Sequence, residues 1–296
     1  MSGQLTRKAI AQQPEWLREV PERVGDRRLP EGARVLFTGC GTSYHAALAC
    51  GQAAQALEVV LGNSPEADVL VAISHEGGTA LTLEAARAFA GETWLITGAP
   101  ESALAKAVDH VVVATPAIEE SYCHTSSYTA AVAAGRALQG EDVSELGAQV
   151  FRELDTETLA VSEHDRFVVA GAGRDAPTVL EAVLKLREGA HVAAEAHHTE
   201  QLLHGHLAAI DPSVRCFVLE GEGRAAERAV DAMRALGELG CDALLIPTTH
   251  PVVDIVRFQR LTCELAESRG IDPDMIRWDE DPWDRARKAQ DFTVDL

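Results

Sequence analysis

Short apolar runs closed by glycine and followed by alanine-rich stretches set the rhythm of this chain. VLFTG at 35–39 reads as a buried strand, Gly39 and Gly41 bracket a tight turn, and residues 43–57 continue as a helix. The succession returns with DVLVAIS at 68–74, a turn at 75–78 and a helix over 79–90. It returns again with TWLITG at 93–98, a short helix over 103–107 and HVVVAT at 110–115. Strands alternating with helices predict a parallel sheet covered on both faces. On a larger scale, FVVAGAGRDAPTVLEAV at 167–183 mirrors VLFTGCGTSYHAALACG at 35–51. A second body of the same kind is therefore expected, with strands at 214–221 and 243–247 around a helix over 225–239. The fold class is α/β, doubly wound and flavodoxin-like in each half.

The first 33 residues carry scattered apolar positions interrupted by Pro14 and Pro21, which predicts an arm of short helices. Residues 34–150 then make the first domain and 151–265 the second, and 266–296, without a clear period, make a tail. A chain of 296 residues is long enough for two cores.

Charge narrows the partners. With 46 acidic against 26 basic side chains the formal net charge is −20, which opposes nucleic acid and anionic membranes and favours small molecules or protein partners. The six cysteines form no C-x-x-C pair and sit mostly in apolar runs, as reduced core thiols do. There is no charged-then-apolar leader and no run of about 18 apolar residues, so a cytoplasmic protein is expected.

The densest chemistry lies in LEAVLKLREGAHVAAEAHHTEQLLHGHLAAID at 180–211. Lys185 and Glu188 are three apart, on one helical face. His191, Glu195, His197, His198, Glu200, His204 and His206 follow. Three readings fit these imidazoles and carboxylates: an acid/base site, a solvated polar helix or loop, and a zinc site built from His197, His198, Glu200 and His204, although H-E-x-x-H is absent. Three hydroxyl-bearing turns accompany them: Gly39-Cys40-Gly41-Thr42-Ser43, Ser74-His75-Glu76-Gly77-Gly78-Thr79 and Thr125-Ser126-Ser127-Tyr128-Thr129. The first two open helices at strand ends, where parallel sheets bind ligands, and the third would close a ring around an anion or polyol.

These residues resemble a known family. Over nearly its whole length the chain is similar to tandem sugar isomerase (SIS) domains, most closely to the isomerase portion of glucosamine-6-phosphate synthase. Cys40-Gly41-Thr42-Ser43-Tyr44-His45-Ala46 resembles that family's first phosphate loop. Lys185-Leu186-Arg187-Glu188 matches its K-L-K-E helix, Ala194-Glu195-Ala196 its A-E-A, and residues 203–211 its L-K-H-G-P-L-A-L-I-D run. The resemblance implies that Glu188 shuttles a proton between C1 and C2 of an open-chain sugar while Lys185 stabilises the developing charge. It also implies that His204, from the partner subunit of a homodimer with composite sites, helps open the ring. Thr42, Ser43, Ser74, His75, Glu76, Gly77, Thr79, His124 and Thr125 would bind the substrate and its phosphate, with neither cofactor nor metal.

The departures are specific. The family's S-Q-S-G-E-T loop is Ser74-His75-Glu76-Gly77-Gly78-Thr79, its V-A-S-T-K loop is Tyr122-Cys123-His124-Thr125-Ser126, and its C-terminal sugar-binding lysine falls on Gln290 or, with a two-residue shift, Lys288. Nothing resembles the glutamine-hydrolysing domain and its N-terminal cysteine. A carboxylate about 4 Å from a phosphate repels it by roughly 4 kcal/mol at an effective dielectric of ~20, so either Glu76 turns outward while the amides of Gly77, Gly78 and Thr79 with Ser43 and Ser74 hold the anion, the preferred reading, or the pocket takes a neutral or cationic group such as an amino sugar. The function expected is an aldose–ketose isomerase or deaminase/deglycase-like enzyme acting on a sugar phosphate or amino-sugar phosphate. The alternative is a non-catalytic binder or sensor of a carbohydrate derivative.

Overall fold

The computed structural model describes residues 2–290. They group into two compact units, one of residues 8–151 with 274–290 and the other of residues 2–7 with 152–273.

The first unit begins in α1 (Gln4–Val24) and continues through β1 (Val35–Gly39), α2 (Thr42–Cys50), β2 (Ala53–Gln55), α3 (Ala56–Val60), β3 (Val69–Ile73), α4 (Ala80–Ala88), β4 (Glu92–Thr97), β5 (His110–Val113) and α5 (Ser126–Leu138). Its five strands are all parallel, in the order β2-β1-β3-β4-β5. Central β3 is buried at every position, as its unbroken run VLVAI demands of a strand covered on both faces. Leu36, Leu70, Ala56, Val59 and Ala85 pack α3 and α4 on one face. On α5, Gly135 has no room for a side chain, since a Cβ would stand 2.3 Å from Cys50 Sγ on α2.

The second unit contains α6 (Leu146–Leu154) from residue 152 onward, β6 (Arg166–Gly171), α7 (Ala176–Ala190), β7 (Ala193–His198), α8 (Thr199–Leu203), β8 (Val214–Leu219), α9 (Arg224–Glu238), β9 (Asp242–Ile246) and α10 (Pro251–Ser268). A last short helix, α11 (Trp283–Arg287), returns to the first unit. The second sheet is parallel in the order β7-β6-β8-β9, the first sheet's order without its fifth strand. No helix among the described residues is long and apolar enough to cross a membrane.

Four elements differ from the pattern reading. Pro14 and Pro21 do not divide α1, which runs unbroken for 21 residues. Pro14 cannot donate to the Ile10 carbonyl, but Gln13 Nε2 does so instead at 3.1 Å. The helix expected over 43–57 stops at Cys50, because Phe37 N–H donates to Gln52 O and the chain turns extended to add β2. β7 forms where a helix or loop was one of the expectations, because its backbone pairs with β6 from Ala193 to His198. Finally α10, with thirteen of its eighteen residues buried, has no counterpart above. Polar Asp254, Gln259 and Thr262 are among its buried residues, which blurs the apolar period that marks a helix.

At the carboxyl ends of the second sheet the chain fills its own crevice. Thr248 Oγ1 donates to Asp175 Oδ2 at 3.0 Å and to the same end Gly221 N–H donates to Thr248 Oγ1 at 3.2 Å. Both oxygens of Asp254 accept the Thr249 amide at 3.0 Å. Burial pushes the Asp254 carboxyl from its ordinary 3.8 up to about 6, the Thr249 amide pulling the other way. The folded state therefore binds this proton more tightly than the unfolded state does, and the group's contribution to stability falls as pH rises through that window. Asp254→Asn is expected to be more stabilising relative to wild type at pH 7 than at pH 4, by up to about 3 kcal/mol. Denaturant titrations at the two pH values check this; a difference independent of pH would contradict it.

Candidate functional site

In the first unit the turns after β1 and β3 and the segment before α5 meet at the carboxyl edge of the sheet, around a cavity of about 330 Å³. Ser43, Ser74, His75, Glu76, Thr79 and His124 line it, together with Trp278 and Gln290 from the C-terminal segment. Thr42 lines a smaller cavity of about 20 Å³ that also touches Ser43, His75 and His124. Thr115 Oγ1 is buried at this second cavity without a hydrogen-bond partner. Gly41 opens α2 with φ +55 and Gly77 has φ +63, and a Cβ on Gly77 would lie 2.1 Å from Ser102 Oγ, so both turns need glycine.

Among the described residues the larger cavity is lined by no lysine or arginine, and Glu76, which is exposed, is the carboxylate that lines it. His75 is a neutral imidazole: burial, reinforced by His124, lowers it from 6.5 to about 4, with Glu119 opposing. Gln290 reaches the cavity, whereas the Lys288 ammonium pairs with Asp284 at 3.6 Å. Thr125 departs from expectation. Its amide and hydroxyl both donate to the buried carboxylate of Glu119, at 2.7 and 2.9 Å, so the third turn is closed by the chain's own anion. Glu119 and Trp278 were not among the candidates; an acidic residue shortly before a Thr-Ser-Ser helix start was the available signal for the first.

In the second unit α7 carries the other cluster. Proline at its start and apolar Val179, Ala182, Val183 and Leu186 hold the helix in the core. Lys185 Nζ lies 2.6 Å from Glu188 Oε2 and 3.4 Å from Glu181 Oε1. The Lys185 and Glu181 side chains are 0% exposed, while that of Glu188 is 25% exposed. Glu181, one turn before Lys185, escaped the sequence reading although the i,i+4 spacing announces it. A buried ammonium held between two carboxylates, one of them open to solvent, suits a base that takes a proton alpha to a carbonyl while a cation balances the charge.

His191 ends α7 in the left-handed conformation, with φ +53. The remaining histidines pair locally. His197 Nε2 meets Glu195 at 3.2 Å and its ring lies 4.2 Å from that of His206. His198 Nδ1 accepts the Glu200 amide at the start of α8. His204 is 72% exposed and pairs with Glu200 at 3.2 Å, and Glu200 is also held by Arg228 at 2.5 Å. Its imidazole is thus engaged with Glu200 and not with Glu188. Among the described residues no three His, Cys, Asp or Glu side chains gather as metal ligands.

Residues 29–139 match the family model for the SIS domain. A glutamine–fructose-6-phosphate aminotransferase (isomerizing) from Gloeobacter violaceus is 26% identical over 91% of this chain and 57% of its own length. Its counterpart from Methanothermobacter thermautotrophicus is 27% identical over 82% of this chain and 50% of its own. The chain therefore spans about half the length of these curated relatives. Among solved structures, a glucosamine-6-phosphate deaminase from Thermotoga maritima is 26% identical, with a TM-score of 0.77, covering 92% of this chain and 97% of that one. With its hydroxyl turns on one parallel sheet and its Lys–Glu helix against another, the chain matches the SIS domain over residues 29–139 and is similar to the isomerase portion of glutamine–fructose-6-phosphate aminotransferase.

Proposed function

We propose that this chain is a sugar-phosphate or amino-sugar-phosphate enzyme of the isomerase and deaminase type, working by proton transfer between C1 and C2 of an open-chain sugar. The observation that carries the reading is the Lys185–Glu188 pair at 2.6 Å, with the lysine buried and the carboxylate part-exposed. Glu188 takes the proton from C2, the electrons pass to the C1 carbonyl oxygen as an enediolate, and Glu188 returns the proton to C1 as the hydroxyl proton moves from O2 to O1. The Lys185 ammonium holds the carboxylate in place and balances the charge that develops on the sugar. The names of the relatives support the substrate class: one group is called isomerizing and acts on fructose 6-phosphate, and the structural neighbour is a glucosamine-6-phosphate deaminase.

The hydroxyl turns of the first unit, through Ser43, Ser74, Thr79 and the amides around Gly77, are the phosphate-binding groups of this reading. The second sheet repeats the strand order of the first, which supports a second SIS domain there. In this reading the protein is a homodimer, and the exposed His204 serves the neighbouring copy's sugar at ring opening.

Incubation in deuterated water with a panel of hexose and hexosamine 6-phosphates and their unphosphorylated counterparts tests the proposal. Deuterium is expected to enter at C2 of at least one phosphorylated member, seen by NMR, and that member is expected to bind more tightly than its unphosphorylated partner. Binding without any exchange would replace the enzyme by a carbohydrate sensor. A preference for the unphosphorylated sugar would assign Glu76 to a neutral or cationic group and remove phosphate from the pocket.

A further inference from the structure

One buried acid connects two of the loops that face the cavity of the first unit. Glu119 is 4% exposed. Its carboxylate accepts the Thr125 amide at 2.7 Å, the Thr125 hydroxyl at 2.9 Å, the Ser126 amide at 3.3 Å and the Ser127 amide at 2.8 Å. The first amides of a helix have no partner within it, and the thirteen-residue α5 satisfies its own with this side chain. At its other end, Glu119 donates its backbone N–H to His75 Nε2 at 2.8 Å. A backbone N–H only donates, so Nε2 is the bare nitrogen and the imidazole proton sits on Nδ1. Between these two anchor points stands His124, whose Nδ1 lies 3.1 Å from Ser127 Oγ and whose ring meets that of His75 edge-on at 5.4 Å. Both imidazoles line the cavity; Glu119 does not.

We infer that Glu119 is a positioning residue of the ligand pocket: it fixes where His75 and His124 stand and which nitrogen of His75 donates. This rests on the proposed reading of that cavity as the sugar-phosphate pocket. The carboxylate acts at a distance from the ligand. Four donors converge on its two oxygens, so removing one acceptor atom unsettles the start of α5, and with it the backbone N–H that selects the His75 tautomer. Glutamine in its place keeps the shape but turns one oxygen into a donor that opposes an amide or hydroxyl. Loss of one charge-assisted hydrogen bond is worth about 1.5–3 kcal/mol, which corresponds to roughly ten- to a hundredfold in affinity if the pocket bears the whole change.

The test has two arms. Nitrogen-15 NMR of the imidazole rings in the ligand-free wild-type protein is expected to find His75 protonated on Nδ1 and bare on Nε2 at neutral pH. In Glu119→Gln that resonance pattern is expected to shift toward the other tautomer or a mixture. Calorimetric titration with fructose 6-phosphate and glucosamine 6-phosphate is expected to show Kd raised about tenfold or more by Glu119→Gln. Glu120→Gln, which touches only the exposed pair with Lys8, should match wild type in both arms. A wild-type His75 protonated on Nε2 overturns the inference whether or not either sugar binds. So does a folded Glu119→Gln with the wild-type His75 pattern. If neither sugar phosphate binds wild type, the proposed function fails, and the tautomer arm still decides the role of Glu119. Should Glu119→Gln fail to fold, Thr125→Val, which removes one of the four donors, takes its place with the same expected directions.

Discussion

Replacing Glu188 by glutamine is expected to lower C2 proton exchange by at least about 100-fold while leaving sugar-phosphate binding largely in place. A general base contributes on that scale, and glutamine preserves the size of the side chain while removing the proton acceptor. The neighbourhood makes the test a clean one, since Lys185 keeps a second buried carboxylate, Glu181 at 3.4 Å, when Glu188 is neutralised. The ammonium is therefore not left alone in the core, and a folded variant is expected. Exchange measured by NMR at saturating ligand, beside a calorimetric Kd, separates the two effects. Exchange at the wild-type rate would remove Glu188 from the chemistry.

Lys185→Met is expected to act on the fold before it acts on the reaction. Its ammonium is fully buried between Glu181 and Glu188, and its loss takes a cation away from the fully buried Glu181 and the neighbouring Glu188. Breaking a buried ion pair from one side costs about 3–5 kcal/mol. Pairing Lys185→Met with Glu181→Gln removes both charges and should recover most of the stability but none of the exchange. Urea titrations of the single and double variants measure the first half of that statement. Equal stability of Lys185→Met and wild type would overturn this expectation.

The two changes probe a part of the molecule that was largely legible in advance. Lys185 and Glu188 announce themselves by spacing and by a resemblance that spans the helix, and the strands announce themselves as apolar runs cut off by glycine. β7 did not, because AAEAHH has neither β-branched residues nor a clear apolar alternation; it is a strand by virtue of its pairing with β6. Likewise Thr125 reads as a ligand hydroxyl until Glu119, an acid six residues before it, is seen to fold back and claim it; the spacing offers that capping acid but does not fix its partner. Local composition reports which groups are able to bond. Which partner they take is settled by the packing of segments far apart along the chain, as with Asp175 and Thr248 at the edge of the second sheet.

The unbroken course of α1 through Pro14 belongs to that second kind of information. Gln13 repairs the gap by donating to Ile10 O, and its own Oε1 accepts the Thr129 hydroxyl at 2.9 Å, from within α5. A bridge of this sort has its full strength only once both helices are docked, so the N-terminal helix owes its continuity to a neighbour more than a hundred residues away. Cut from the chain, the peptide would hinge at Pro14, and during refolding its two halves would become one rod only after α5 had settled against them. Amide protection along α1 therefore acts as a clock for the assembly of the first unit, reporting the arrival of α5 and not the intrinsic helicity of the N-terminal residues.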